Sequence, residues 1–283
     1  MNKLNLDYGS FISRSFNSVT VSGDEVIKSS RNLEKIINEH AYFYSISDDL
    51  KHFMVQPYQL SISEGRASYR MKFWRSPDAG SLYSSKSLAM SDFVKIVDSV
   101  DSFKKAAKRN TRTTANSWNS MIQSTIIKAR SRVTDLVGDR AIPLCDRLEE
   151  HILNITPYSI DSIESHGDLC LSNIILCEDG MVRFIDPRGS DSIWMDEYYD
   201  MAKLSQCILG GYDFIVNDVP ENHSREIQEY FLQYIKSVGL SYEMLRIYEA
   251  SLFISMCPLH SDRPDHVEKF LDAAEKILME LGA

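Results

Sequence analysis

His166-Gly167-Asp168-Leu169-Cys170-Leu171-Ser172-Asn173 is the segment from which the fold of this chain can be inferred, because a β-hairpin is predicted to begin at its end. Two short apolar runs rich in β-forming residues come next, at residues 173–177 and 181–185. Asp179-Gly180 lies between them, and Asp-Gly between such runs is a strong short-range signal for a β-hairpin. The sequence therefore predicts a loop that leads directly into a two-stranded hairpin.

Three polar side chains are predicted to converge at the open end of this hairpin. A hairpin brings its two ends together, so Asn173 and Asp186 should be neighbours. An amide oxygen beside a carboxylate offers the hard oxygen ligands that Mg²⁺ prefers while it keeps waters and substrate phosphates. Asp168 lies five residues before Asn173, where it is placed to orient a hydroxyl group and accept its proton. The pattern H-x-D-x-x-x-x-N followed by a second aspartate is similar to the catalytic loop of kinases.

Within that class, the segments 166–173 and 184–189 resemble the aminoglycoside phosphotransferase and choline kinase family. Its members are small-molecule kinases with a protein-kinase-like fold, and they read H-G-D where many protein kinases read H-R-D. Residues 199–204 resemble the D-L-A segment of the family, whose aspartate, here Asp200, braces the catalytic loop. His166 is predicted to brace the same loop, since an imidazole can bond to backbone on two sides.

The resemblance implies ATP and Mg²⁺ as cofactors and a small-molecule hydroxyl group as the acceptor. It implies a catalytic role for Asp168 and metal binding by Asn173 and Asp186. The segments 185–189 and 200–204 are most similar to phosphotransferases found with bacterial capsule and surface-polysaccharide synthesis.

The resemblance also implies a bilobal α+β fold. Its N-terminal lobe would be a small antiparallel sheet with one main helix, and its C-terminal lobe larger and mostly helical. Residues 1–75 are predicted to form the nucleotide-binding lobe and residues 76–283 the catalytic and substrate-binding lobe. The predicted strands are 11–14, 19–22, 25–29, 53–63 and 67–74. Residues 75–81 have loop composition, and helices are predicted from Ser91 onward, with amphipathic stretches beginning near Arg225, Tyr242 and Asp265.

Lys28 ends a short strand that is similar to the V-A-I-K strand of kinases, whose lysine holds the α- and β-phosphates of ATP. A helix with an apolar stripe is predicted over residues 32–45, with a serine as its N-cap. Glu39 lies in the middle of this helix, where the resemblance expects the glutamate that pairs with the lysine. The alternative is that Lys28 and Glu39 are solvated surface charges.

The predicted phosphate loop, residues 14–18, departs from the usual pattern because it contains no glycine. No G-x-G-x-x-G precedes Lys28, and the absence of G-x-x-x-x-G-K-[ST] from the chain excludes a P-loop enzyme. This loop is therefore predicted either to bind ATP less tightly or to contact the phosphates through the side chains of Ser15 and Asn17. Adenine is predicted to stack near Trp74.

Composition restricts the other function classes. The chain has no apolar run near 20 residues and no signal-peptide start, so a cytoplasmic protein without membrane insertion is expected. Five cysteines without a C-x-x-C pair favour reduced thiols. A net charge of −9 argues against nucleic-acid binding. The basic run from Lys104 to Arg112 is expected to be a solvated helix end, the alternative being attraction of a phosphorylated substrate. No particular oligomeric state is indicated.

The acceptor is expected between Asp168 and the helices that come after the hairpin. The candidate substrate contacts are Arg188, Asp191, Trp194 and Tyr198. Acidic and aromatic groups together favour an amine. Arg188 instead favours an acceptor that carries a carboxylate or phosphate, or stabilises charge on the transferred phosphoryl group.

These features predict an ATP- and Mg²⁺-dependent kinase for a hydroxyl of a sugar or similar precursor of surface polysaccharide. A choline, ethanolamine or aminoglycoside kinase is the alternative. A protein-substrate kinase is disfavoured because only thirteen residues separate Asp186 from Asp200, which leaves little platform for a peptide. A nucleotide-binding pseudokinase would be expected to have lost one of four residues, Lys28, Asp168, Asn173 or Asp186, and all are present.

Overall fold

The N-terminal lobe is an antiparallel sheet with one long helix beside it. The computed structural model describes residues 17–112, 118–132, 137–154 and 161–282. The strands of this lobe are β1 (Asn17–Ser22), β2 (Glu25–Ser30), β3 (Pro57–Ser63) and β4 (Arg66–Lys72), in the sheet order β1-β2-β4-β3. The helices that come after β2 are α1 (Leu33–Ser45) and the short α2 (Asp48–Lys51). The sheet-and-helix lobe predicted from the sequence is confirmed, and the predicted strand 11–14 lies outside the described residues.

The strand β2 and the helix α1 each bury one charged residue. Burial alternates along β2, so Lys28 is on the buried face of the strand together with Val26. The helix α1 buries Ile36, Glu39 and Tyr42, which are three residues apart and share one helix face. Lys28 and Glu39 are thereby enclosed between the sheet and the helix.

Two local predictions in this lobe and just after it are wrong. The N-cap of α1 is Asn32 rather than a serine, and its side chain accepts a hydrogen bond from the Lys35 backbone amide at 3.1 Å. The segment 75–81 is not a loop throughout, because α3 (Ala79–Ser84) begins within it. Asp78 caps this helix by accepting a backbone hydrogen bond at 2.8 Å, which satisfies an amide that has no partner inside the helix.

The C-terminal lobe is mostly helical and contains most of the larger hydrophobic core. Its further helices are α4 (Met90–Ala107), α5 (Trp118–Ser131), α6 (Gly138–Asn154), α7 (Glu197–Ile208), α8 (Tyr212–Val216), α9 (Arg225–Ser237), α10 (Tyr242–Met256) and α11 (Pro264–Glu280). The predicted starts of α9, α10 and α11 are confirmed. The prediction that α10 is amphipathic is wrong, because it is buried on all sides from Met244 to Met256 by α5, α6, α7 and α11.

Two small antiparallel sheets lie near the junction of the lobes. One consists of β5 (Thr111–Arg112), β6 (Ser162–Glu164) and β9 (Trp194–Met195), and the other is the predicted hairpin, β7 (Ile174–Leu176) with β8 (Val182–Phe184). Backbone hydrogen bonds run from Phe184 N to Phe53 O at 2.7 Å and from Val55 N to Phe184 O at 3.0 Å. Residues 53–55 therefore tie the hairpin to the N-terminal lobe, although they were predicted as part of a strand that in fact begins at Pro57.

Three further features concern membrane-spanning helices, the cysteines and the predicted division between the lobes. Within the described residues, no helix combines the length and the apolar character needed to cross a bilayer. The five cysteines are buried and form no disulfide. The predicted division at residue 75 falls in the connection between β4 and α3 and stays a prediction.

Candidate active site

The backbone of the segment 166–173 is held by the carboxylate of Asp200 in α7. Asp200 accepts hydrogen bonds from the backbone amides of His166 and Gly167, each at 2.8 Å. Burial raises the pKa of Asp200, and these two amides oppose that rise because they favour the charged form. Gly167 has a φ of 78°, and a Cβ there would lie 2.7 Å from the Cβ of Arg188. The bracing contact predicted for Asp200 is therefore present in the structure.

The imidazole of His166 links this segment to the end of the hairpin. Its Nδ1 accepts from the Asp168 backbone amide at 3.3 Å, so Nε2 carries the proton and donates to the Ile185 carbonyl at 3.0 Å. Burial lowers the pKa of His166, which keeps the ring in this neutral form. Both nitrogens are occupied by backbone groups, so the ring positions the loop.

The carboxylate of Asp168 lies beside Asn173 and Lys203. Asn173 Nδ2 donates to the Asp168 backbone carbonyl at 2.8 Å and lies 3.3 Å from Asp168 Oδ2. Lys203 Nζ lies 3.0 Å from Asp168 Oδ1. The Asp168 side chain is 44% exposed and that of Lys203 is 13% exposed, so the carboxylate faces solvent while its cation is anchored in α7. Burial alone would lower the pKa of Lys203, but the charge of Asp168 raises it, and the amine stays protonated.

Lys203 was missed in the sequence analysis. A signal for it existed, because it comes three residues after Asp200 and so lies on the same helix face one turn further along α7.

Lys28 joins Glu39 to Asp186. Its Nζ lies 2.8 Å from Glu39 Oε2 and 2.8 Å from Asp186 Oδ2. Lys28 is 3% exposed and Glu39 is 4% exposed, so the alternative of solvated surface charges is excluded. Burial acting alone would lower the pKa of Lys28, but Asp186, Tyr69 and Glu39 raise it well above its usual range. The structure thus brings together the lysine, the glutamate and the second aspartate that the sequence singled out.

Asp186 and Asn173 offer donors that fit Mg²⁺. The buried Oδ1 of Asp186 accepts no hydrogen bond from the described residues, and Asn173 uses its nitrogen toward Asp168, which leaves its oxygen to a metal. The two residues are tied together because the Ile185 amide donates to the Asn173 backbone carbonyl at 3.0 Å. Asp186 has a φ of 57°, a conformation uncommon outside glycine and often found at functional sites. One carboxylate oxygen and one amide oxygen form a donor set that Mg²⁺ accepts when phosphates and water supply the remaining ligands.

The helices α3 and α8 come close to each other next to the segment 166–173, where Gly80 faces Asp213. A Cβ at Gly80 would lie 2.9 Å from the backbone nitrogen of Ser172 and would collide with the Asp213 carboxylate, so α3 comes this close only because residue 80 is glycine. Asp213 is 1% exposed, and burial raises its pKa to about 7.

We expect Asp213→Asn to stabilise the protein at pH values above about 7. An aspartate of the unfolded chain titrates near pH 4, so between about pH 4 and 7 the folded protein binds a proton that the unfolded chain does not. The stability contributed by this proton is complete below pH 4 and is lost as pH rises toward 7, on the order of 4 kcal/mol in total. Thermal unfolding at about pH 5 and about pH 8, with exposed Asp179→Asn as control, measures the effect. A variant less stable than wild type at the higher pH would contradict the expectation.

The other predicted nucleotide contacts are only partly within the described residues. Ser15 lies outside them. Asn17 is the first residue of β1 and pairs in register with Ser30, so the loop predicted over 14–18 is wrong at its C-terminal end. The ring centroid of Trp74 lies 3.6 Å from the Lys72 ammonium group and 5.0 Å from the Arg183 guanidinium group. Contact of Trp74 with adenine stays a prediction.

Two of the four predicted acceptor contacts are occupied by the protein itself. Tyr198 is 4% exposed, its ring stacks on that of Tyr248 with centroids 6.0 Å apart, and its hydroxyl accepts from the Ser241 amide at 3.1 Å. Tyr198 is a core residue, and its prediction as a substrate contact is corrected for that reason. The ring of Trp194 is covered by the Arg112 guanidinium group, whose central carbon lies 3.9 Å from the ring centroid.

The other two candidates come directly after the hairpin. Arg188 donates from its backbone to the His166 carbonyl at 2.9 Å and from its guanidinium group to the Tyr199 hydroxyl at 2.6 Å. Asp191 is exposed and lies in a short 3-10 turn that packs against α1. Their contact with an acceptor stays a prediction.

The basic run from Lys104 to Arg112 is balanced by acidic partners. Lys104 and Lys108 both approach Glu197, with nitrogen–oxygen distances of 3.6 and 2.6 Å, and Arg109 pairs with Asp49 at 2.8 Å. Lys104 is 6% exposed, so the expectation of a solvated helix end is wrong at that position.

Comparisons with known proteins agree with this architecture. Models of protein families and curated protein sequences give no match to the chain. Among solved structures, a thermostable mutant of aminoglycoside phosphotransferase APH(4)-Ia in ternary complex with AMP-PNP and hygromycin B matches with a TM-score of 0.64 and 13% identity, over 95% of this chain and 92% of its own. Choline kinase LicA from Streptococcus pneumoniae matches with a TM-score of 0.56 and 18% identity, over 93% of this chain and 89% of its own.

A glucosamine kinase also matches, with a TM-score of 0.55 and 13% identity over 93% of this chain and 77% of its own. Identities this low establish the fold, and the chemistry has to come from the residues. Both lobes are covered in these matches, and the predicted α+β division into a small sheet lobe and a larger helical lobe is confirmed. The chain therefore has the bilobal, protein-kinase-like fold of the aminoglycoside phosphotransferases and choline kinases.

Proposed function

We propose that this protein is an ATP- and Mg²⁺-dependent kinase that phosphorylates a hydroxyl group of a sugar or a similar precursor of surface polysaccharide. One observation carries the proposal: a connected cluster contains a buried lysine, two residues with metal-donor oxygens and a solvent-facing carboxylate. These are Lys28, Asn173, Asp186 and Asp168. Phosphoryl transfer needs this set, because its catalysis consists mainly of positioning and electrostatic stabilisation.

Lys28 and the metal donors form the nucleotide side of the site. Lys28, oriented by Glu39, binds the phosphates of ATP and gives up part of its contact with Asp186 to do so. Asn173 and Asp186 would hold Mg²⁺, which when bound supplies positive charge against the phosphate oxygens. The surroundings of Lys28 keep it cationic, so its charge is available before ATP arrives.

Asp168 forms the acceptor side. It aligns the acceptor hydroxyl and takes its proton as the acceptor oxygen bonds to the γ-phosphorus. The bond from the γ-phosphorus to the bridging oxygen breaks in the same transfer, and ADP and a phosphate monoester are the products. Lys203 lies 3.0 Å from the Asp168 carboxylate and adds positive charge close to the transferred group.

We expect Lys203→Met to lower kcat by on the order of a hundredfold, because it removes a charge that lies 3.0 Å from the Asp168 carboxylate. Without its cation the carboxylate has a higher pKa, so the acidic limb of the pH–rate profile should move to higher pH. The pH dependence of kcat/KM for Lys203→Met and for charge-retaining Lys203→Arg measures this. An acidic limb that stays in place in the Met variant would contradict the role of Lys203.

Several observations support a sugar over the alternatives. Of the structures with this fold, one is a glucosamine kinase by name, and the segments 185–189 and 200–204 are similar to capsule-associated phosphotransferases. A choline or ethanolamine acceptor would need aromatic faces for its cation. Tyr198 is buried and Trp194 already holds Arg112, so these two faces are not available.

Neither a peptide acceptor nor a catalytically dead protein fits the site as well. The thirteen residues between Asp186 and Asp200 include a 3-10 turn at 190–192 and the strand β9, which pairs with β6. This short connection gives a peptide little surface. A pseudokinase would have no use for the intact set of Lys28 and the three residues around the hairpin.

The test is ADP release from Mg-ATP across a panel of sugars, amino sugars, choline, ethanolamine and aminoglycosides, with Asp168→Asn as the blank. A responder that gains one phosphate by mass spectrometry, and only with the wild type, supports the proposal. Absence of Mg-ATP binding in a calorimetric titration would overturn it.

A further inference from the structure

Basic side chains from three separate segments lie near one another, and one of them, Lys203, contacts Asp168. This basic cluster consists of Lys128 of α5, Arg132 directly after α5, Arg188 after the hairpin, and Lys203 of α7. Arg188 bonds to Tyr199, which precedes Lys203 by one helical turn, and Lys203 contacts Asp168. Arg132 follows α5 directly, and its backbone amide donates to the Lys128 carbonyl at 3.2 Å. The helices α5 and α7 both pack against α10, and the charges of Arg188, Arg132 and Lys203 all act on Lys128.

Three members of the basic cluster have no acidic partner among the residues that the structure describes. Arg188 donates to the Tyr199 hydroxyl, and Arg132 donates to the Ser255 carbonyl at 3.3 Å, so both guanidinium groups are bonded to neutral oxygen. The ammonium group of Lys128 forms neither a hydrogen bond nor an ion pair within the described ranges. All three side chains are half-buried.

This lack of partners is unusual for the molecule. The chain has 40 acidic residues for 31 basic ones, so acidic partners are plentiful. Arg130, two residues before Arg132 on α5, pairs with both Asp146 and Glu149 at 2.7 and 3.0 Å. The basic cluster is thus a local excess of positive charge in an acidic protein.

The neighbouring positive charges also affect the pKa of Lys128. Burial and the positive charges of Arg188, Arg132 and Lys203 lower the pKa of Lys128 to about 8, and the opposing effect of Asp191 is smaller. Burial and the charge of Arg188 lower the pKa of Arg132 as well. Like charges crowded in this way destabilise one another, and an anion placed among them would relieve the repulsion.

We propose that the acceptor itself carries an anionic group, a carboxylate or a phosphate, which is held by Lys128, Arg132 and Arg188 while the acceptor hydroxyl lies against Asp168. This assignment rests on the kinase function proposed above and specifies its substrate class. The planar guanidinium groups of the two arginines match the paired oxygens of a carboxylate or phosphate. A cationic amino alcohol or aminoglycoside would be repelled at the same place, and a neutral sugar would leave the charges unbalanced.

The basic cluster is assigned to the acceptor rather than to ATP because the nucleotide side already has Lys28 and the metal donors. Lys203 joins the basic cluster to Asp168, the residue that aligns the acceptor hydroxyl. Two kinetic constants separate these cases, since the cluster should affect the KM for the acceptor and leave the KM for Mg-ATP unchanged.

The experiment measures ADP release with matched acceptors that differ in one group: glucose, glucuronate, glucose 1-phosphate and glucosamine, together with glycerol, glycerate and glycerol 3-phosphate. Glucuronate and glycerate test for a carboxylate, and the phosphates test for a phosphoryl group. Lys128→Met and Arg132→Met are compared with Arg130→Met, a matched control on the same helix whose partners lie on α6. Because the panel consists of model acceptors, binding is measured as well as turnover. The second readout is calorimetric titration of the same anions into the protein saturated with Mg-AMP-PNP.

We expect an anionic member of a matched set to exceed its neutral and cationic counterparts in kcat/KM or in binding. Lys128→Met or Arg132→Met should raise its KM or Kd about tenfold or more, as expected for loss of one charge-assisted contact, while Arg130→Met changes neither. Equal or better use of a neutral or cationic acceptor would overturn the inference and leave the kinase function standing. The inference would also be overturned if Lys128→Met left the Kd of the anion unchanged, or if no anion bound to a protein that binds Mg-AMP-PNP. Failure of Mg-AMP-PNP itself to bind would instead remove the proposed function.

Discussion

Replacing Asp168 by asparagine is expected to lower turnover by about a hundredfold to ten-thousandfold while nucleotide binding is kept. The carboxylate is the group placed to take the proton of the acceptor hydroxyl, and an amide cannot do so at neutral pH. Binding of Mg-ATP should change little, because Lys28, Asn173 and Asp186 supply the nucleotide side. Single-turnover phosphate transfer and calorimetric titration with Mg-AMP-PNP measure the two effects separately.

The fold of this variant should be intact, because the Asp168 side chain is 44% exposed and asparagine has nearly the same shape. An unchanged thermal unfolding midpoint is the control. The loss of the Asp168 charge should also lower the pKa of Lys203, whose amine that charge keeps protonated. Turnover close to that of wild type in a folded Asp168→Asn protein would rule out the catalytic role.

Replacing Asp186 by alanine is expected to weaken metal-dependent nucleotide binding by about tenfold to a hundredfold or more and to reduce turnover below detection. The change removes the carboxylate whose Oδ1 is available to a metal and whose Oδ2 lies 2.8 Å from Lys28. It also disfavours the backbone conformation at this position, whose φ of 57° asparagine or glycine adopts more easily than alanine. Titration of Mn²⁺ or Mg²⁺ in the presence of AMP-PNP, followed by calorimetry, measures the loss.

The matched control is Asp179→Ala at the opposite end of the same hairpin. Asp179 pairs with Arg183 at 2.7 Å on the surface, so its removal tests the effect of losing a hairpin carboxylate without touching the site. Metal-dependent binding of AMP-PNP by Asp179→Ala should equal that of the wild type. If Asp179→Ala and Asp186→Ala weakened binding equally, Asp186 would have no special part in holding the metal.

The local features of the site were predictable because their causes are close together in the chain. The turn at Asp179-Gly180 sets the register of β7 and β8, and this register places Asn173 next to the backbone of Ile185. The spacing of Asp168 from Asn173 lies within the same loop. Turn chemistry and residue spacing are short-range properties, so they survive in whatever tertiary context the hairpin occupies.

The errors arose where distant residues decide the outcome. Tyr198 comes soon after the hairpin and was assigned to the acceptor, yet it stacks on Tyr248, fifty residues further along the chain. The helix α10 was predicted to be amphipathic, which requires its charged residues to lie on a solvated face. Arg246 and Glu249 are instead buried and pair with each other at 2.7 Å. Each charge can be buried because the other compensates it.

The sequence by itself predicted the kinase-like fold and singled out Lys28, Glu39, Asp168, Asn173 and Asp186, because fixed short spacings and one hairpin carry that information. Only the tertiary structure decided which further charges surround Asp168. Lys203, Arg188, Lys128 and Arg132 come from segments up to 75 residues apart, counting from Lys128 to Lys203. The helices α5 and α7, which lie in or next to these segments, both pack on the buried helix α10. Electrostatic interactions act through space, so the placement of Lys128 and Arg132 relative to Arg188 and Lys203 depends on helix packing and has no signature in any one stretch of sequence.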